Sequence, residues 1–250
     1  MKVLLSDQIV LLFDEKNNSI RMGKKNVTIP YSTVLQPGDT VRLEGKNFTV
    51  LEYTEDLFAL SGQRGAQIID GKDASYMIHR SGIRYGSHVL ESGTGSGALT
   101  ISILKTIGNT GSYMGVDHSE ESIRITSHNV KMIMGKTPEI TYCPFEEFDP
   151  GKQKFDAIFL DLPEPWKNIS EQRKWLLSGS RIITYLPTMN QVEKTVLSYV
   201  ENGFMHLETV ELSSREIQVK PGATRPKSTG IIHTGYISTF IKLSGSQIIL

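Results

Sequence analysis

Three glycines at alternating positions follow a run of apolar residues that begins at Val89. The stretch reads V-L-E-S-G-T-G-S-G and ends at Gly97. Glycine lets the backbone turn sharply and approach a ligand with no Cβ in the way. The apolar spacing of the next ten residues predicts a helix that Gly108 ends. A strand, a glycine turn and a helix in this order predict a nucleotide-binding site.

The residues around the glycines narrow the choice of nucleotide. Gly93, Gly95 and Ala98 also satisfy the G-x-G-x-x-A spacing of dinucleotide-binding folds. Glu91, two residues before the first glycine, favours another ligand, because the E-x-G-x-G-x-G form resembles the first motif of methyltransferases that use S-adenosylmethionine (SAM). The amine and carboxylate of SAM need polar groups close to bare backbone. The predicted SAM-binding residues of this stretch are Glu91, Gly93, Thr94, Gly95, Ser96 and Gly97.

A second acidic residue, Asp117, ends the next predicted strand, over 112–116. It lies twenty residues after Gly97, where a carboxylate accepts hydrogen bonds from ribose hydroxyls in both nicotinamide and SAM folds. The alternative role is a helix cap, although Ser119 already supplies an N-cap for the following helix. We therefore predict that Asp117 binds ribose.

A third acidic residue, Asp161, follows the fourth predicted strand and opens the sequence D-L-P-E-P-W. Ligands of open α/β sheets bind beyond the carboxyl ends of the strands, so Glu91 and Asp161 are predicted to face one crevice. The two prolines stiffen the loop and remove backbone donors. Trp166 offers a flat surface for a base, and its alternative role is a core side chain.

The elements that position these residues fall into two predicted domains, a small N-terminal β domain over 1–65 and a larger one over 66–250. The first reads as short strands separated by turns, including one at Leu57 to Leu60, which predicts a small barrel or a curled sheet. The second alternates strands and helices, which predicts a Rossmann-like α/β fold with a seven-stranded sheet. No catalytic cluster is visible in the first domain, which is predicted to be a binding or assembly module or a structural cap.

Two helices of the larger domain carry specific expectations. The first is predicted over 74–81, with Asp73 as its cap, and it can close over a ligand because it precedes the first nucleotide-binding strand. The other is predicted over 191–200, with Val192, Val196 and Val200 on its buried face. A further helix is predicted over 168–177 and a strand over 181–186.

Composition limits the class of protein. The chain has 250 residues, 38% of them hydrophobic, and no apolar run near the roughly 18 residues that a membrane helix needs, so we expect no membrane association. Its one cysteine, Cys143, excludes an internal disulfide and fits a cytoplasmic location. The six histidines are scattered, and no metal site is expected.

The formal net charge is zero, which argues against a strongly basic nucleic-acid binder. The charge is nevertheless unevenly distributed: five basic residues stand against one acid over 213–250, whereas six acids stand against two lysines over 144–165. Such asymmetry is compatible with a phosphate-binding face, and equally with solvated surface charge that has no partner.

The segment from Gln67 to Leu243 resembles the tRNA (adenine-N1)-methyltransferases that modify the adenosine at tRNA position 58. The matching segments are Gln67-Ile68-Ile69 with Lys72-Asp73, Glu91 to Gly97, Asp161 to Trp166, Tyr185 to Pro187 with Gln191-Val192, Arg215-Glu216, Arg225-Pro226, and His233-Thr234-Gly235. The pair D-L-P-x-P-W and H-T-G is far more specific than the glycine turn.

The resemblance implies an enzyme that transfers a methyl group from SAM to tRNA and that assembles as a homotetramer. It implies that Asp161 is the catalytic carboxylate, which also contacts the cofactor. Gln67 joins the predicted cofactor-binding residues. The predicted substrate-binding residues are Trp166, Arg215, Arg225 and His233.

The chain departs from the family pattern at two places. Relatives usually have Tyr-Pro where this chain has Asp70-Gly71, and an acidic residue that contacts the cofactor adenine where Pro144 stands. Adenine recognition is left to Phe145, Glu146 or backbone groups. Two other functions stay open: a methyltransferase that acts on a small molecule or a protein, and a noncatalytic tRNA-binding subunit.

Overall fold

Two β-sheets, one before Tyr53 and one after Ser87, form the framework of the protein. The computed structural model describes residues 1–7, 9–22, 25–30, 32–54, 56–58, 68–228, 230 and 233–245. The division predicted at residue 65 falls outside these residues, so the domain boundary stays a prediction.

The N-terminal sheet is antiparallel and has six strands in the order β4-β3-β2-β1-β6-β5. Its strands are β1 (Lys2–Ser6), β2 (Ile9–Asp14), β3 (Ser19–Met22), β4 (Lys25–Thr28), β5 (Thr40–Leu43) and β6 (Lys46–Glu52). The expected small β unit is confirmed as a curled antiparallel sheet, with two strands, β1 and β3, that the sequence did not predict.

The strand predicted at Leu57 to Leu60 is wrong where the structure describes it, because 56–58 are helical. The amide of Phe58 donates to the carbonyl of Thr54 at 3.0 Å. Leu57 and Phe58 are both buried in one cluster. Successive side chains of a strand point to opposite faces, so a helical turn suits two adjacent buried residues better. Residues 59 and 60 lie outside the described part of the chain.

The second sheet has seven strands in the order β12-β15-β11-β10-β7-β8-β9, which confirms the predicted Rossmann-like fold. Its strands are β7 (His88–Ser92), β8 (Ser112–Asp117), β9 (Ile140–Tyr142), β10 (Phe155–Leu160), β11 (Leu176–Leu186), β12 (Phe204–Glu211) and β15 (Tyr236–Lys242). Five adjacent strands pair in parallel, and β15 runs antiparallel to both of its neighbours, so β12 points in the same direction as those five. Strand order reverses between β7 and β10, and ligands of open α/β sheets bind at such a point.

Besides the helical turn at 56–58, the described residues contain five helices and a short hairpin. The helices are α1 (Gly71–Ser81), α2 (Ala98–Ile107), α3 (Glu120–Met134), α4 (Ile169–Trp175) and α5 (Met189–Glu201), with a 3-10 turn at Phe145–Glu147. The hairpin pairs β13 (Ile217–Gln218) with β14 (Arg225–Pro226). None of the helices within the described residues is both long and apolar enough to cross a membrane.

Two expectations about helices are wrong. The N-cap of α1 is Asp70, whose side chain accepts from the amide of Lys72 at 3.0 Å, and Asp73 is instead fully buried inside the helix. On α5 the buried residues are Thr195 and Tyr199, while Val200 is 49% exposed. Tyr199 is buried rather than Val200 because burying an aromatic ring removes more apolar surface from water than burying valine.

A single hydrophobic cluster links the two sheets. Val3, Tyr53 and Phe58 from the N-terminal part share it with Ile83 and Val89 beside the second sheet. Val3 has no exposed surface. The N-terminal sheet is therefore packed against the rest of the protein rather than tethered to it.

Candidate active site

The ends of strands β7 and β10 bring the predicted site residues together. The two strands pair in parallel, with Phe159 opposite Glu91 and Leu160 opposite Ser92. One residue further on, the amide of Asp161 donates to the carbonyl of Ser92 at 2.9 Å. Asp161 and the glycine turn therefore leave the sheet at the same level.

Gly93 makes this close approach possible. Its φ is +85°, and an added Cβ would lie 2.1 Å from the carbonyl oxygen of Asp161. Such a distance is far inside van der Waals contact, so no other residue fits without moving the end of β10. Gly93 was predicted to let a ligand approach the backbone. It is required at least as much by the close approach of the Asp161 carbonyl.

A cleft opens between the turn and Asp161. It is lined by Ile69, Glu91, Gly93, Thr94, Gly95, Ser96, Ala98, Leu99 and Asp161. Gly97 stands behind the turn, where an added Cβ would lie 3.1 Å from Cγ2 of Thr126. The enclosed volume is about 30 Å³, which is room for a small group, so a nucleoside would have to lie along the cleft rather than inside it.

Glu91 is a buried acid at the base of the cleft. It is 1% exposed and accepts hydrogen bonds from the hydroxyls of Thr100, at 2.7 Å, and Tyr113, at 2.6 Å. Burial raises the pKa of Glu91 to about 8, and the nearby charges of Asp161 and Asp117 add to the rise. The carboxyl can therefore take up or release a proton near neutral pH.

Asp161 shares this property. Burial raises its pKa to about 7, and the charge of Asp117 contributes. Two carboxyl groups that are costly to ionise face one cleft, and a cationic ligand lowers that cost by pairing with them. The electrostatics of the cleft therefore favour a positively charged ligand.

Asp117 lies at the end of β8 and is 6% exposed. Its Oδ2 accepts from the Thr94 hydroxyl and the Gly95 amide, both at 3.3 Å, and its Oδ1 accepts from the Ser119 amide at 2.9 Å. The helix cap itself is Ser119, whose hydroxyl accepts from the amide of Ser122. Asp117 thus joins the glycine turn to the start of α3.

The loop after Asp161 is held by buried polar side chains. The amide nitrogen of the Gln172 side chain donates to the carbonyl of Pro165 at 3.0 Å, and the Tyr199 hydroxyl donates to the same carbonyl at 2.9 Å. The Gln191 side chain donates to the carbonyl of Pro163 at 2.9 Å. Gln172 and Tyr199 have no exposed surface. Helices α4 and α5 therefore position this loop.

Trp166 ends the loop and is half-buried against a second core cluster. The ammonium of Lys194 lies over its ring, 4.3 Å from the ring centroid. A base could stack on this face only after Lys194 had moved away.

A buried network around Asp73 is the part of the site that the sequence analysis missed. Its carboxylate accepts from the ammonium of Lys72 at 3.0 Å, the hydroxyl of Thr234 at 2.6 Å and the hydroxyl of Tyr185 at 3.2 Å. These residues come from α1, β11 and the segment before β15. They fasten α1 beside the cleft, to which Ile69 contributes. The signal in the sequence was that the Lys72-Asp73, Tyr185 to Pro187 and H-T-G segments all match one family.

His233 belongs to the same fastening. Its Nδ1 lies 2.5 Å from a carboxylate oxygen of Glu211, and its Nε2 lies 3.2 Å from the carbonyl oxygen of Pro187. The hydrogen bonds to Glu211 and Pro187 raise the pKa of His233, because the imidazolium donates to both acceptors. Gly235 follows, where an added Cβ would lie 2.4 Å from Cζ of Tyr185.

The two predicted substrate-binding arginines lie on the exposed hairpin and just before it. Arg225 forms part of β14 opposite Gln218, and Arg215 precedes β13. Both side chains are exposed. Neither arginine is among the residues that line the cleft. Gln67 lies outside the described residues.

The two departures from the family pattern have structural counterparts. Asp70 is occupied as the N-cap of α1. Pro144 precedes the 3-10 turn, in which the buried ring of Phe145 packs edge-on against Trp175 with centroids 5.7 Å apart. Glu146 is exposed and lies 3.7 Å from the Lys167 ammonium. Among the described residues no group of three or more His, Cys, Asp or Glu side chains could hold a metal ion.

Comparison with known proteins identifies the family. Residues 46–233 match the family model described as "tRNA methyltransferase complex GCD14 subunit". The tRNA (adenine(57)-N(1)/adenine(58)-N(1))-methyltransferase TrmI of Methanocaldococcus jannaschii is 32% identical over 91% of this chain and 93% of its own.

Two solved structures share the fold. The tRNA (m1A58) methyltransferase TrmI from Aquifex aeolicus has a TM-score of 0.78 and 28% identity, over 98% of this chain and 97% of its own. A SAM-dependent O-methyltransferase from Thermotoga maritima has a TM-score of 0.86, over 99% of this chain and 94% of its own, and at 23% identity it speaks for the fold alone. The chain therefore belongs to the GCD14/TrmI family of SAM-dependent tRNA (adenine-N1)-methyltransferases.

Proposed function

We propose that this protein transfers a methyl group from SAM to N1 of adenosine 58 in the T-loop of tRNA, and that Asp161 contacts the adenine amine. The names of the relatives support the substrate and the position. The observation that carries the proposal is that Asp161 and Glu91 line one cleft with the glycine turn.

The residues of the cleft fit SAM in two respects. Bare backbone at the turn admits the methionine end of the ligand, and the carboxyl groups of Glu91 and Asp161 suit its positive charges. When bound, SAM supplies a methyl group on a positively charged sulfur. The residues proposed to hold it are Gln67, Glu91, Gly93, Thr94, Gly95, Ser96, Gly97, Asp117 and Asp161.

Alignment and charge stabilisation are the contributions expected from this chain. N1 of adenine has a lone pair at neutral pH, so its attack needs correct placement rather than a base. Positive charge then develops on the ring and is shared with the exocyclic amine. The carboxylate of Asp161, accepting a hydrogen bond from that amine, stabilises this charge more in the transition state than before it. Loss of such a group typically lowers the rate on the order of 10² to 10³.

The raised pKa of Asp161 makes this step dependent on pH. The ionised carboxylate accepts more strongly from the amine than the protonated acid and alone supplies a negative charge, and with a pKa of about 7 the acid is largely protonated at pH 6. At saturating SAM, where titration of Glu91 does not limit binding of the donor, we therefore expect kcat/KM for tRNA to rise with pH through about 7. In Asp161→Asn this rise should be absent, whereas an unchanged profile would contradict the assignment.

RNA contacts are proposed at Trp166, Arg215, Arg225 and His233. A base within folded RNA has to be turned out of its stack before it reaches the cleft, and aromatic side chains commonly grip such a base. For Trp166 this requires Lys194 to leave the ring. For His233 direct contact requires the loss of a bond to Glu211 or Pro187. Arg225 is exposed on the hairpin, and Arg215, whose Nε donates to the carbonyl of Lys227 at 3.5 Å, has further guanidinium donors for a phosphate.

Charge reversal on the hairpin tests that part. Arg225→Glu should weaken tRNA binding and reduce the slope of log affinity against log salt concentration. The matched control is Arg124→Glu, on the exposed face of α3. Equal slopes for the two variants would remove the hairpin from the interface.

Assembly as a homotetramer and a cytoplasmic location are proposals that rest on the family resemblance and on the single cysteine. Sedimentation of the purified protein at several concentrations tests the first. A mass that corresponds to one or two chains throughout would exclude the tetramer.

The decisive experiment combines the protein, radiolabelled SAM and an unmodified tRNA transcript, followed by mapping of the modified base. The control transcript carries guanosine at position 58. Label at N1 of adenosine 58 in the first transcript, and none in the second, is the expected result. A noncatalytic subunit would bind the transcript without labelling it, and an enzyme that acts on a small molecule or a protein would ignore the RNA.

A further inference from the structure

A polar cavity lies at the amino ends of the sheet strands, opposite the carboxyl ends that form the methyl-transfer cleft. Its volume is about 470 Å³, and it opens between the loop after α1 and the amino-terminal parts of β7, β10 and β11. His88 begins β7 at the cavity, whereas Ser92 ends the same strand at the cleft. At about 3.3 Å per residue the two sites are therefore on the order of 13 Å apart.

Positive charge predominates in the lining. Arg84 and Arg181 line the cavity together with Asp156, whose Oδ2 already accepts from the amide of His88 at 2.7 Å. Arg181 donates from Nη1 to the carbonyl of Arg80 at 2.5 Å, at the end of α1. The exposed side chain of Arg84 has no ion pair or hydrogen bond with the described residues.

The backbone of the loop is shaped to present these groups. Gly82 has a φ of +71°, and an added Cβ there would lie 3.2 Å from Nη1 of Arg181, so this residue leaves room for the guanidinium. Tyr85 packs one side of its ring on Gly108, where an added Cβ would lie 2.2 Å from Cε2 of the tyrosine. The tyrosine is nevertheless 66% exposed. An exposed ring beside two arginines combines the side chains that bind a phosphate and stack on a base.

We propose that this cavity binds a phosphate group, with Arg84 as its principal contact and Arg181 as the second. The phosphate belongs to the backbone of the RNA substrate or to a free nucleotide. Arginine suits this ligand because its planar guanidinium donates two parallel hydrogen bonds to phosphate oxygens. The RNA source rests on the proposed function, because tRNA is the substrate proposed there. A folded tRNA is long enough to contact this cavity and the cleft at once. The free nucleotide does not depend on the proposed function.

The RNA source is tested by measuring the affinity for a tRNA transcript over a range of sodium chloride concentrations. Arg84→Ala should reduce the slope of log affinity against log salt by roughly 0.7 to 0.9, the value for one phosphate contact. Arg84→Lys should keep most of the slope, because it keeps the charge. Arg124→Ala, which removes an arginine already paired with Glu121, is the control and should leave the slope unchanged. SAM affinity should be the same in all three variants.

The free ligand is tested by thermal unfolding in inorganic phosphate and in adenosine monophosphate, each against chloride at equal ionic strength. A ligand that binds only the folded protein raises the midpoint with its concentration. The midpoint should rise for the wild type and for Arg124→Ala and should stay unchanged for Arg84→Ala.

The outcomes distinguish the two sources of the phosphate, and they distinguish failure of this proposal from failure of the proposed function. A reduced RNA slope assigns the cavity to the RNA backbone, and a midpoint rise that Arg84→Ala abolishes, with no change in RNA slope, assigns it to a free nucleotide or phosphate. If Arg84→Ala behaves like the control in both experiments, the proposal is overturned. If the transcript is not methylated but the midpoint still rises, the proposed function fails while the phosphate site stands.

Discussion

At the scale of single residues, Gly93 couples the cofactor turn to the proposed catalytic strand end. Its missing side chain leaves the space that the Asp161 carbonyl occupies. Glycine is therefore needed at this position partly for packing against Asp161, and not only for the approach of a ligand.

Gly93→Ala should be much more damaging than Gly95→Ala. Both positions have positive φ, but an added Cβ at Gly95 meets nothing within 4 Å, whereas at Gly93 it meets the Asp161 backbone. We expect the midpoint of thermal unfolding of Gly93→Ala to fall several degrees below that of Gly95→Ala, because moving the end of β10 adds to the strain of the turn. Equal midpoints would show that the Asp161 backbone can move away from a Cβ at position 93 without loss of stability.

Glu91 illustrates a conflict between stability and function. Its pKa is about 8 in the folded protein and near its ordinary, lower value in the unfolded chain. The folded state therefore retains a proton that the unfolded chain has lost, and the stability from this group is lost as pH rises through about 8.

Glu91→Gln, which cannot ionise, should therefore raise the midpoint of thermal unfolding by roughly 2 to 6 °C more at pH 9 than at pH 6. The control is Glu121→Gln, an exposed glutamate whose pKa is lowered by its hydrogen bond to Arg124, so it stays ionised across this range. The same variant should bind SAM more weakly, since it cannot supply a charge. A gain in stability that is independent of pH would contradict the explanation by ionisation.

At the scale of elements, the strands and helices around the glycine turn could be predicted closely from the sequence. β10 was predicted with its observed bounds, and α2 with its observed end, because apolar periodicity and glycine are local signals. The cap of α1 was assigned to Asp73 rather than Asp70, since both residues fit the local pattern. What distinguishes them is a set of contacts with β11 and Thr234, and the latter lies 161 residues away in sequence.

The two aspartates of α1 permit a matched comparison. Asp73→Asn leaves the Lys72 ammonium without its buried counter-charge, so it should lower the free energy of unfolding by about 3 kcal/mol or more. Asp70→Asn should be nearly neutral, since asparagine caps helices as well as aspartate. Chemical denaturation of both variants measures the difference, and similar losses would show that the buried pair of Asp73 and Lys72 adds nothing to stability.

At the scale of the whole molecule, the two sheets share a core that the sequence did not reveal. The sequence predicted a separate N-terminal unit, because short strands and turns there contrast with the alternating pattern that follows. Packing between the N-terminal sheet and the rest of the protein depends on which of their surfaces come together in three dimensions, and local sequence patterns do not show this. Val3, Tyr53 and Phe58 carry no local sign that they pack beside Ile83 and Val89.

The shared cluster predicts that the protein unfolds in one cooperative transition. Trp166 and Trp175, both beyond the N-terminal sheet, are the chain's two tryptophans and report only on the larger part. Val3→Ala should nevertheless lower the stability measured by their fluorescence by about 1 to 3 kcal/mol. Val34→Ala, at a valine that is 70% exposed in the same region, should have no such effect. A fluorescence transition that ignores Val3→Ala would mean that the sheets unfold independently.

The network around Asp73 also bears on how the protein is made. The ribosome synthesises Lys72 and Asp73 first, and the hydroxyl of Thr234 that completes their bonding follows 161 residues after Asp73. Until then a nascent chain can form the glycine turn but cannot fasten α1 across β11. The cleft thus reaches its final form only after Thr234 has emerged, and a translation product that stops before Thr234 would carry the complete glycine turn without an assembled candidate site.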